Sequence, residues 1–186
     1  MANLTSRTKL TYADYLLFPE DGKRHELMDG EHYMTPAPNT RHQRISSNLH
    51  RMIAPHVHAG RLGLLLAAPT DVVLSDVDVV QPDLIFVTAS RVPTIQEKAI
   101  HGAPDLLIEI LSETTRKIDE RLKRNLYERH GVSEYWLVDP EVETIKVYRL
   151  TQSRYICSSE LAKKSNGILS TPLLPGLELR LSDIFE

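Results

Sequence analysis

The sequence has a single cysteine, Cys157, so it can form neither an internal disulfide nor a zinc site built from several cysteines. This scarcity favours a reducing compartment. The longest apolar runs fall well short of the ~18–20 residues that cross a bilayer. The first residues also lack the apolar stretch of a signal peptide. We therefore expect a cytoplasmic protein.

Several common catalytic motifs are missing as well. The sequence contains no P-loop and no Gly-x-Gly-x-x-Gly motif, and no nucleophile elbow surrounds Ser112. Its histidines show no spacing typical of zinc ligands. Any catalytic site is therefore expected among acids and bases that the fold brings together.

Acidic residues are absent over one long segment, although the formal net charge of the chain is -3. No aspartate or glutamate occurs between His32 and Thr70, whereas Arg41 and Arg44 lie there. A second segment, 116–130, carries six lysines and arginines against three acids. Local basic faces of this kind attract phosphates even on an acidic protein. They are equally compatible with ordinary solvated helix faces.

Local signals at the N-terminal end predict a short helix and a hairpin. Thr11, followed by Asp14 at the third helical position, is typical of a capping box that begins a helix. Asp29-Gly30 separates two short runs of strand-like composition. An Asp-Gly pair in this position predicts a tight hairpin turn.

Two longer helices are predicted further along the chain. Asn39 or Thr40 is expected to begin one, and Pro55 should kink or end it. The other is expected over 115–130, with Gly131 at its C-terminal cap. Its buried ridge is predicted to consist of three apolar residues four positions apart, Ile118, Leu122 and Leu126.

The remaining pattern predicts an α/β domain built on one mixed sheet flanked by helices, with hairpins at both ends. Segment 79–87 is expected to be one buried strand, and 95–100 a short helix. The nearly continuous apolar run over 105–111 is typical of a central strand covered on both faces. The length of 186 residues favours a single domain spanning 1–186.

Two acids stand where strands should be wholly apolar. Asp83 lies within Val-Val-Gln-Pro-Asp-Leu-Ile-Phe-Val, and Glu109 lies within Asp-Leu-Leu-Ile-Glu-Ile-Leu-Ser. An unpaired buried carboxylate costs several kcal/mol or more, so each acid needs a partner or a cleft. On separate strands they could converge on one Mg²⁺ ion, which prefers oxygen ligands. Alternatively, each caps a helix or pairs with its own arginine.

A row of polar residues follows the predicted third helix. The row consists of residues four positions apart, each one residue after a member of the apolar ridge: Asp119, Lys123 and Tyr127. Lys123 can therefore lean toward the sheet and polarise a phosphate oxygen or position an attacking water. The alternative is an ion pair with Asp119 inside the helix, worth a few tenths of a kcal/mol. Glu26, in a strand-like segment, and His42, near the start of the second helix, could add to a cleft.

These residues fall in stretches that resemble the Uma-two family, within the PD-(D/E)XK superfamily of nucleases. The resemblance covers nearly the whole chain, and its combination of short motifs is specific. The longer matching stretches are 24–31, 80–87, 102–112, 131–140 and 173–177. Single matching positions are Arg41, His42, Thr115, Arg116, Asp119, Lys123 and Tyr127.

The resemblance implies a restriction-endonuclease-like core with a Mg²⁺ (or Mn²⁺) site at one end of the sheet. Asp83 would be the aspartate of the motif and Glu109 its second acid. The usual lysine follows that acid by two residues, but here the position is Leu111. Lys123 resembles a migrated substitute for it. Glu26 resembles an additional acid found near the start of this superfamily, with Asp119, His42 and Tyr127 as supporting residues.

The implied activity is the hydrolysis of DNA phosphodiester bonds by a homodimer. Basic residues that would contact the DNA backbone are Arg41, Arg44 and Arg116. A catalytically inactive protein that binds nucleic acid or dimerises through the same fold is the alternative, favoured by Leu111 and the negative net charge. A different Mg²⁺-dependent hydrolase on this scaffold is a third hypothesis.

Overall fold

The computed structural model describes residues 8–186. The prediction about a signal peptide concerns the first residues of the chain and so lies outside the described residues. The short helix α1 (Tyr12–Tyr15) begins as predicted, because Thr11 and Asp14 form the reciprocal hydrogen bonds of a capping box. No helix within the described residues is long and apolar enough to cross a membrane.

Most of the strands belong to two sheets. In chain order the strands are β1 (Arg24–Met28), β2 (Glu31–Thr35), β3 (Gly63–Ala67), β4 (Asp71–Ser75), β5 (Asp78–Val80), β6 (Leu84–Thr88), β7 (Ala99–His101), β8 (Leu106–Ile110), β9 (Glu134–Asp139), β10 (Thr144–Thr151), β11 (Arg154–Ala162), β12 (Ile168–Leu169) and β13 (Leu179–Arg180). The larger sheet has the order β11-β10-β9-β8-β6-β3, and the smaller one β2-β1-β5-β4-β7. β12 and β13 pair separately.

β8 is a central strand, as its apolar sequence predicted. It pairs antiparallel with β6 on one side and parallel with β9 on the other. A parallel neighbour requires a crossover connection, and here that connection is helical. The helix carries π-helical turns at Ile118–Lys123 and continues as α3 (Arg124–His130). Gly131 caps it with a φ of 79°, a left-handed conformation that glycine adopts without strain.

The larger sheet is covered on both faces by helices. Helix α2 (Thr40–Ala59), which begins after Asn39 as predicted, packs Ile45, Leu49 and Ile53 against one face. The crossover helix covers the other face with Leu126 and Tyr127. Because side chains alternate along a strand, Leu107, Glu109 and Leu111 all point to the side of the crossover helix. A short C-terminal helix, α4 (Leu181–Ile184), joins the first layer.

The predicted α/β class is confirmed, but segment 79–87 is two strands and not one. β5 belongs to the smaller sheet and β6 to the larger, with Gln81-Pro82-Asp83 between them. Pro82 has no N–H to donate to a ladder, which is why a central strand cannot continue through it. The single predicted sheet is therefore divided at this point.

The expected helix over 95–100 is also wrong. A 3₁₀ helix, Ala89–Thr94, lies just before this segment, and β7 lies at its end. β7 pairs in parallel with β4, with Ile100 opposite Val72. Pairing with a distant strand decides this structure, and the local sequence does not reveal it.

Pro55 does not end α2, which continues to Ala59. Proline removes one helical hydrogen bond and frees the carbonyl four residues earlier, here that of Arg51. Pro55 and Arg51 are both exposed, so water can satisfy that carbonyl. The break in the hydrogen bonding is tolerated because it faces solvent.

The predicted buried ridge of the crossover helix is wrong in part. Leu122 is 44% exposed, whereas Lys123 and Tyr127 are almost completely buried. The π-helical turns contain more residues per turn than an α-helix, so they rotate the following side chains relative to the predicted face. As a result, the polar row points at the sheet, while Leu126 and Ile118 of the apolar row also pack there and Leu122 does not.

Candidate active site

The break between β5 and β6 places Asp83 at the junction of the two sheets. Its side chain is 3% exposed, and its Oδ2 accepts a hydrogen bond of 2.8 Å from the backbone N–H of Ile110. Ile110 directly follows Glu109 on β8. This bond therefore ties the first predicted acid to the strand that carries the second.

Asp83 is neutralised by side chains from two other elements. Arg24 on β1 places Nη1 2.6 Å from Oδ1, and His42 on α2 places Nε2 3.0 Å from Oδ2. Burial raises the pKa of Asp83, but the hydrogen bond and charge of His42 and the charge of Arg24 outweigh it. The pKa of Asp83 therefore lies below its usual value, and the group is ionised.

Glu109 has weaker compensation. Its Oε1 accepts a hydrogen bond of 2.6 Å from the hydroxyl of Tyr127 and lies 3.0 Å from Nζ of Lys123. Burial raises the pKa of Glu109 to about 8, since the opposing charge of Lys123 is offset by nearby acids, chiefly Asp119 and Asp83. Near neutral pH this carboxyl group is therefore mostly protonated when no cation is bound beside it.

Lys123 joins three carboxylates. Its Nζ lies 2.8 Å from Glu26, 3.0 Å from Glu109 and 3.7 Å from Asp119. Burial alone would lower the pKa of Lys123, but these acids raise it well above the usual value, so the amine is charged. The predicted ion pair with Asp119 exists. It is the longest of the three contacts, and the two shorter ones reach across to β1 and β8.

Glu26 and Asp119 complete the acidic cluster. Glu26 is 1% exposed, and its Oε1 also accepts the backbone N–H of Gln81 at 2.8 Å. Asp119 is 2% exposed, and its Oδ1 accepts no hydrogen bond within the described chain. Burial raises the pKa of Asp119 to about 6, with Lys123 opposing the shift. The cluster thus contains an acceptor oxygen that lacks a hydrogen-bond donor.

The cluster forms the floor of an open cavity of about 400 Å³. Arg24 and His42 line one part of this cavity, together with the loop 35–39. Residues 111–115, which connect β8 to the crossover helix, line another part. The cavity therefore gives solvent and ligands access to a group of nearly buried charges.

The donor chemistry of the cluster fits a hard divalent cation. Its four carboxylates lie beside three bases, Lys123, Arg24 and His42, so the acids of the cluster outnumber its bases among the described residues. The raised pKa of Glu109 is a sign of that excess, and so is Oδ1 of Asp119, which accepts no hydrogen bond within the described chain. Carboxylate oxygens are the ligands that Mg²⁺ and Mn²⁺ prefer. In residues 8–186 as they stand, however, no three His, Cys, Asp or Glu side chains are arranged to hold a metal ion.

A family model described as "Uma2: Putative restriction endonuclease" matches residues 12–182. The chain belongs to the Uma2 family. No curated protein matches it significantly. Among solved structures, this Uma2 chain is similar to a putative nuclease from Anabaena variabilis, with 25% sequence identity and a TM-score of 0.78. The similarity covers 95% of this chain and 97% of the other, so the restriction-endonuclease-like fold is confirmed.

Most of the site residues singled out in the Uma2 sequence lie together. Those in or against the cluster are Glu26, His42, Asp83, Glu109, Asp119, Lys123 and Tyr127. The arginines are more dispersed. Arg41 lines the cavity and pairs with Glu143 at 3.4 Å, whereas Arg44 is exposed on α2 outside the cavity lining. Arg116 is already engaged by three acids, Glu120, Asp139 and Glu141. The DNA-binding roles of these arginines remain predictions.

Arg24 is the main site residue of this Uma2 chain that had no assigned role. It lies two positions before Glu26 on β1, so alternation along the strand puts both side chains on one face. That spacing was available in the sequence. What the sequence could not show is that Asp83, 59 residues away, lies opposite this face.

Proposed function

We propose that the chain is a Mg²⁺- or Mn²⁺-dependent endonuclease that hydrolyses phosphodiester bonds of DNA in this cavity. The observation that carries the proposal is the buried cluster of four carboxylates, three of them around Lys123, in which the acids outnumber the bases. Such an excess is unfavourable unless a cation or a bound proton offsets it. The descriptions of the family and of the Anabaena protein as nucleases support the choice of substrate.

Asp83 and Glu109 would hold the metal ion in this proposal, with Glu26 and Asp119 nearby. A bound ion would lower the pKa of a coordinated water molecule and neutralise charge on the scissile phosphate. Lys123 would donate a hydrogen bond to the attacking water or to a phosphate oxygen. Glu26 holds the ammonium group at this position, since their atoms are 2.8 Å apart. Arg24 and Arg41, which line the cavity, would contact the DNA backbone.

A protein without catalysis that binds nucleic acid or dimerises through the same fold is the second candidate. Two observations favour it. Leu111 occupies the position of the usual lysine and is buried in the apolar core. In addition, both oxygens of Asp83 already have protein partners, Arg24 and His42. These contacts would stabilise the carboxylate without any metal ion.

The proposal includes two properties of the whole protein, a cytoplasmic location and a homodimeric state. The dimer is expected from the family resemblance alone. Sedimentation velocity at micromolar concentration tests it, with one dimeric boundary as the expected result. A monomer at that concentration would contradict the assignment.

A plasmid-cleavage assay tests the catalytic proposal. Wild-type protein is expected to nick or linearise supercoiled DNA with Mg²⁺ or Mn²⁺ and to be inactive with EDTA. Asp83→Asn and Glu109→Gln should each abolish cleavage, because each removes a carboxyl group that could ionise to bind the metal ion. Asp105→Asn is the matched control, since Asp105 is also a buried aspartate paired with an arginine, Arg91, but lies outside the cavity lining. It should retain cleavage.

Equal cleavage by the wild type and by Asp83→Asn would indicate a contaminating nuclease and contradict the proposal. DNA binding without cleavage by any variant, at an affinity that falls steeply with salt, would instead support the inactive module. Thermal melting of each variant establishes that the comparison is made between folded proteins.

A further inference from the structure

Arg24 connects a buried acid to the open cavity. Its Nη1 lies 2.6 Å from Oδ1 of Asp83, and its side chain is 23% exposed, compared with 3% for Asp83. Arg24 also lines the cavity. Among the bases that contact Asp83, the side chain of Arg24 is therefore the more accessible, since that of His42 is only 8% exposed.

Both carboxylate oxygens of Asp83 have protein partners. Oδ1 is bound by Arg24, while Oδ2 is bound by His42 and by the backbone N–H of Ile110. A divalent cation that approached Oδ1 would meet the positive guanidinium group at short range. The cation and Arg24 therefore compete for this oxygen, and binding of one weakens binding of the other.

A DNA phosphate offers Arg24 an alternative partner. The planar guanidinium group binds two phosphate oxygens at once, in the same way as it binds a carboxylate. The cavity also contains Arg41, so a backbone phosphate there would meet two guanidinium groups. The remaining bond from His42 keeps Asp83 in place if Arg24 turns away, because α2 and β1 hold the two bases separately.

We infer that Arg24 is an exchange residue, which binds Asp83 while the cavity is free of DNA and binds a backbone phosphate once DNA enters. This inference rests on the proposed nuclease function. Release of Oδ1 by the phosphate raises the affinity of the site for the divalent cation. By thermodynamic reciprocity, the cation raises the affinity for DNA by the same factor. The site thus binds its cation more tightly when substrate is present, and Arg24 acts as a positioning residue for Asp83.

The test measures metal binding and DNA binding separately, each without the other ligand. Mn²⁺ affinity is measured by electron paramagnetic resonance on the full chain without DNA. The affinity for a short DNA duplex is measured by fluorescence anisotropy in EDTA, so that no cleavage occurs. Arg24→Gln should bind Mn²⁺ about tenfold more tightly than the wild type, because the competing charge is gone. The same variant should bind DNA about tenfold more weakly. Its DNA affinity should also fall less steeply with salt concentration, by about the slope that one phosphate contact contributes.

The opposite directions of these two changes separate exchange from simple damage to the fold, which would weaken both affinities. Arg91→Gln is the matched control, because it breaks another arginine–aspartate pair, at 3.1 Å, outside the cavity lining. It should leave both affinities unchanged. If Arg24→Gln does not fold, Arg24→Lys keeps the charge with a more compact group. That variant should shift both affinities in the same directions by smaller factors.

The possible failures are distinguishable. Loss of Mn²⁺ binding in Asp83→Asn would show that the wild type binds the ion through Asp83. If Arg24→Gln then binds Mn²⁺ no more tightly than the wild type does, the exchange inference is wrong, but the nuclease proposal is not contradicted. If Asp83→Asn binds Mn²⁺ as the wild type does, or if no protein binds it with or without DNA, the proposed metal site itself fails. Tighter Mn²⁺ binding together with weaker DNA binding by Arg24→Gln supports the exchange.

Discussion

Asp83 and Glu109 are both almost completely buried beside the same cavity, yet their carboxylates are neutralised in different ways. Asp83 has two bases of its own, Arg24 and His42, which come from different elements. Glu109 shares a single ammonium group, that of Lys123, with two further acids. Accordingly the pKa of Asp83 is lowered, whereas burial raises that of Glu109 to about 8.

The difference shows that burial alone does not decide the charge of an acid in this protein. The number of acids that share each base decides it, because desolvation acts on both groups alike. The side of the cavity around Glu109 is therefore short of positive charge, and the side around Asp83 is not. A cation bound between the two acids would remove this asymmetry, so the comparison can be tested through Lys123, through pH and through the hydrogen bonds of Glu109.

The largest effect is expected from Lys123→Met, which removes the charge that three acids share. Loss of one partner from a buried ion pair destabilises a protein by about 3–5 kcal/mol. We expect a loss of this size at pH 8 and a smaller one at pH 5, where the acids take up protons. Cleavage should fall by about 10²–10³-fold or more, as for the loss of one charged donor at a transition state. Urea unfolding at the two pH values and the plasmid assay measure these effects.

Lys163→Met provides the control for this prediction. Lys163 also lies 3.0 Å from a glutamate, Glu143, but both side chains are about one-third exposed. Exposed pairs of this kind contribute about 1 kcal/mol or less. A destabilisation by Lys163→Met as large as that by Lys123→Met would show that burial of the shared charge is unimportant.

The second prediction concerns the pH dependence of stability. The pKa of Glu109 is about 8 in the folded protein and 4.5 ordinarily, so the folded state binds the extra proton between these values. Stability linked to Glu109 is therefore present below pH 4.5 and is lost as pH rises toward 8, by at most about 1.4 kcal/mol per pH unit. Glu109→Gln should flatten the stability curve in this window.

Asp83 should behave in the opposite way. Since its pKa is lowered from 3.8, its contribution is present above that value and is lost as pH falls further. Asp83→Asn should thus change the curve mainly below pH 4. Urea unfolding of both variants from pH 3 to pH 9 distinguishes the two acids. Curves of the same shape for the two variants would contradict their different electrostatic environments.

The smallest effect is expected from Tyr127→Phe. Its hydroxyl donates a 2.6 Å hydrogen bond to Glu109, and removal of a donor disfavours the charged carboxylate. The pH–rate profile for cleavage should shift to higher pH by about one unit or less. Tyr135→Phe is the control, because that hydroxyl donates to the backbone carbonyl of Asp119 and not to a carboxylate. It should lose a similar amount of stability without shifting the profile.

Local chemistry made much of this site predictable. Asp83 and Glu109 were conspicuous because an ionised group in an apolar strand needs a partner. The capping box at Thr11 and the turn at Asp29-Gly30 depend on neighbouring residues only, and both occur as predicted. The same holds for Asn39, which caps α2.

Contacts between distant segments explain what the sequence did not predict. Arg24 reaches Asp83 because β1 pairs with β5, which ends shortly before Asp83. β7 forms through its pairing with β4, although its local sequence suggested a helix. The exposed position of Leu122 follows from the π-helical turns, which the 3.6-residue period cannot anticipate.

Those π-helical turns at Ile118–Lys123 make the length of the segment as decisive as its composition. Each residue of a regular helix is rotated by about 100° from the one before it. A chain one residue shorter upstream of Lys123 would keep every acid and base in its sequence, yet its lysine would turn away from Glu26 and Glu109. The gain or loss of one codon in this segment could therefore switch the site on or off during divergence, with no substitution of a charged residue.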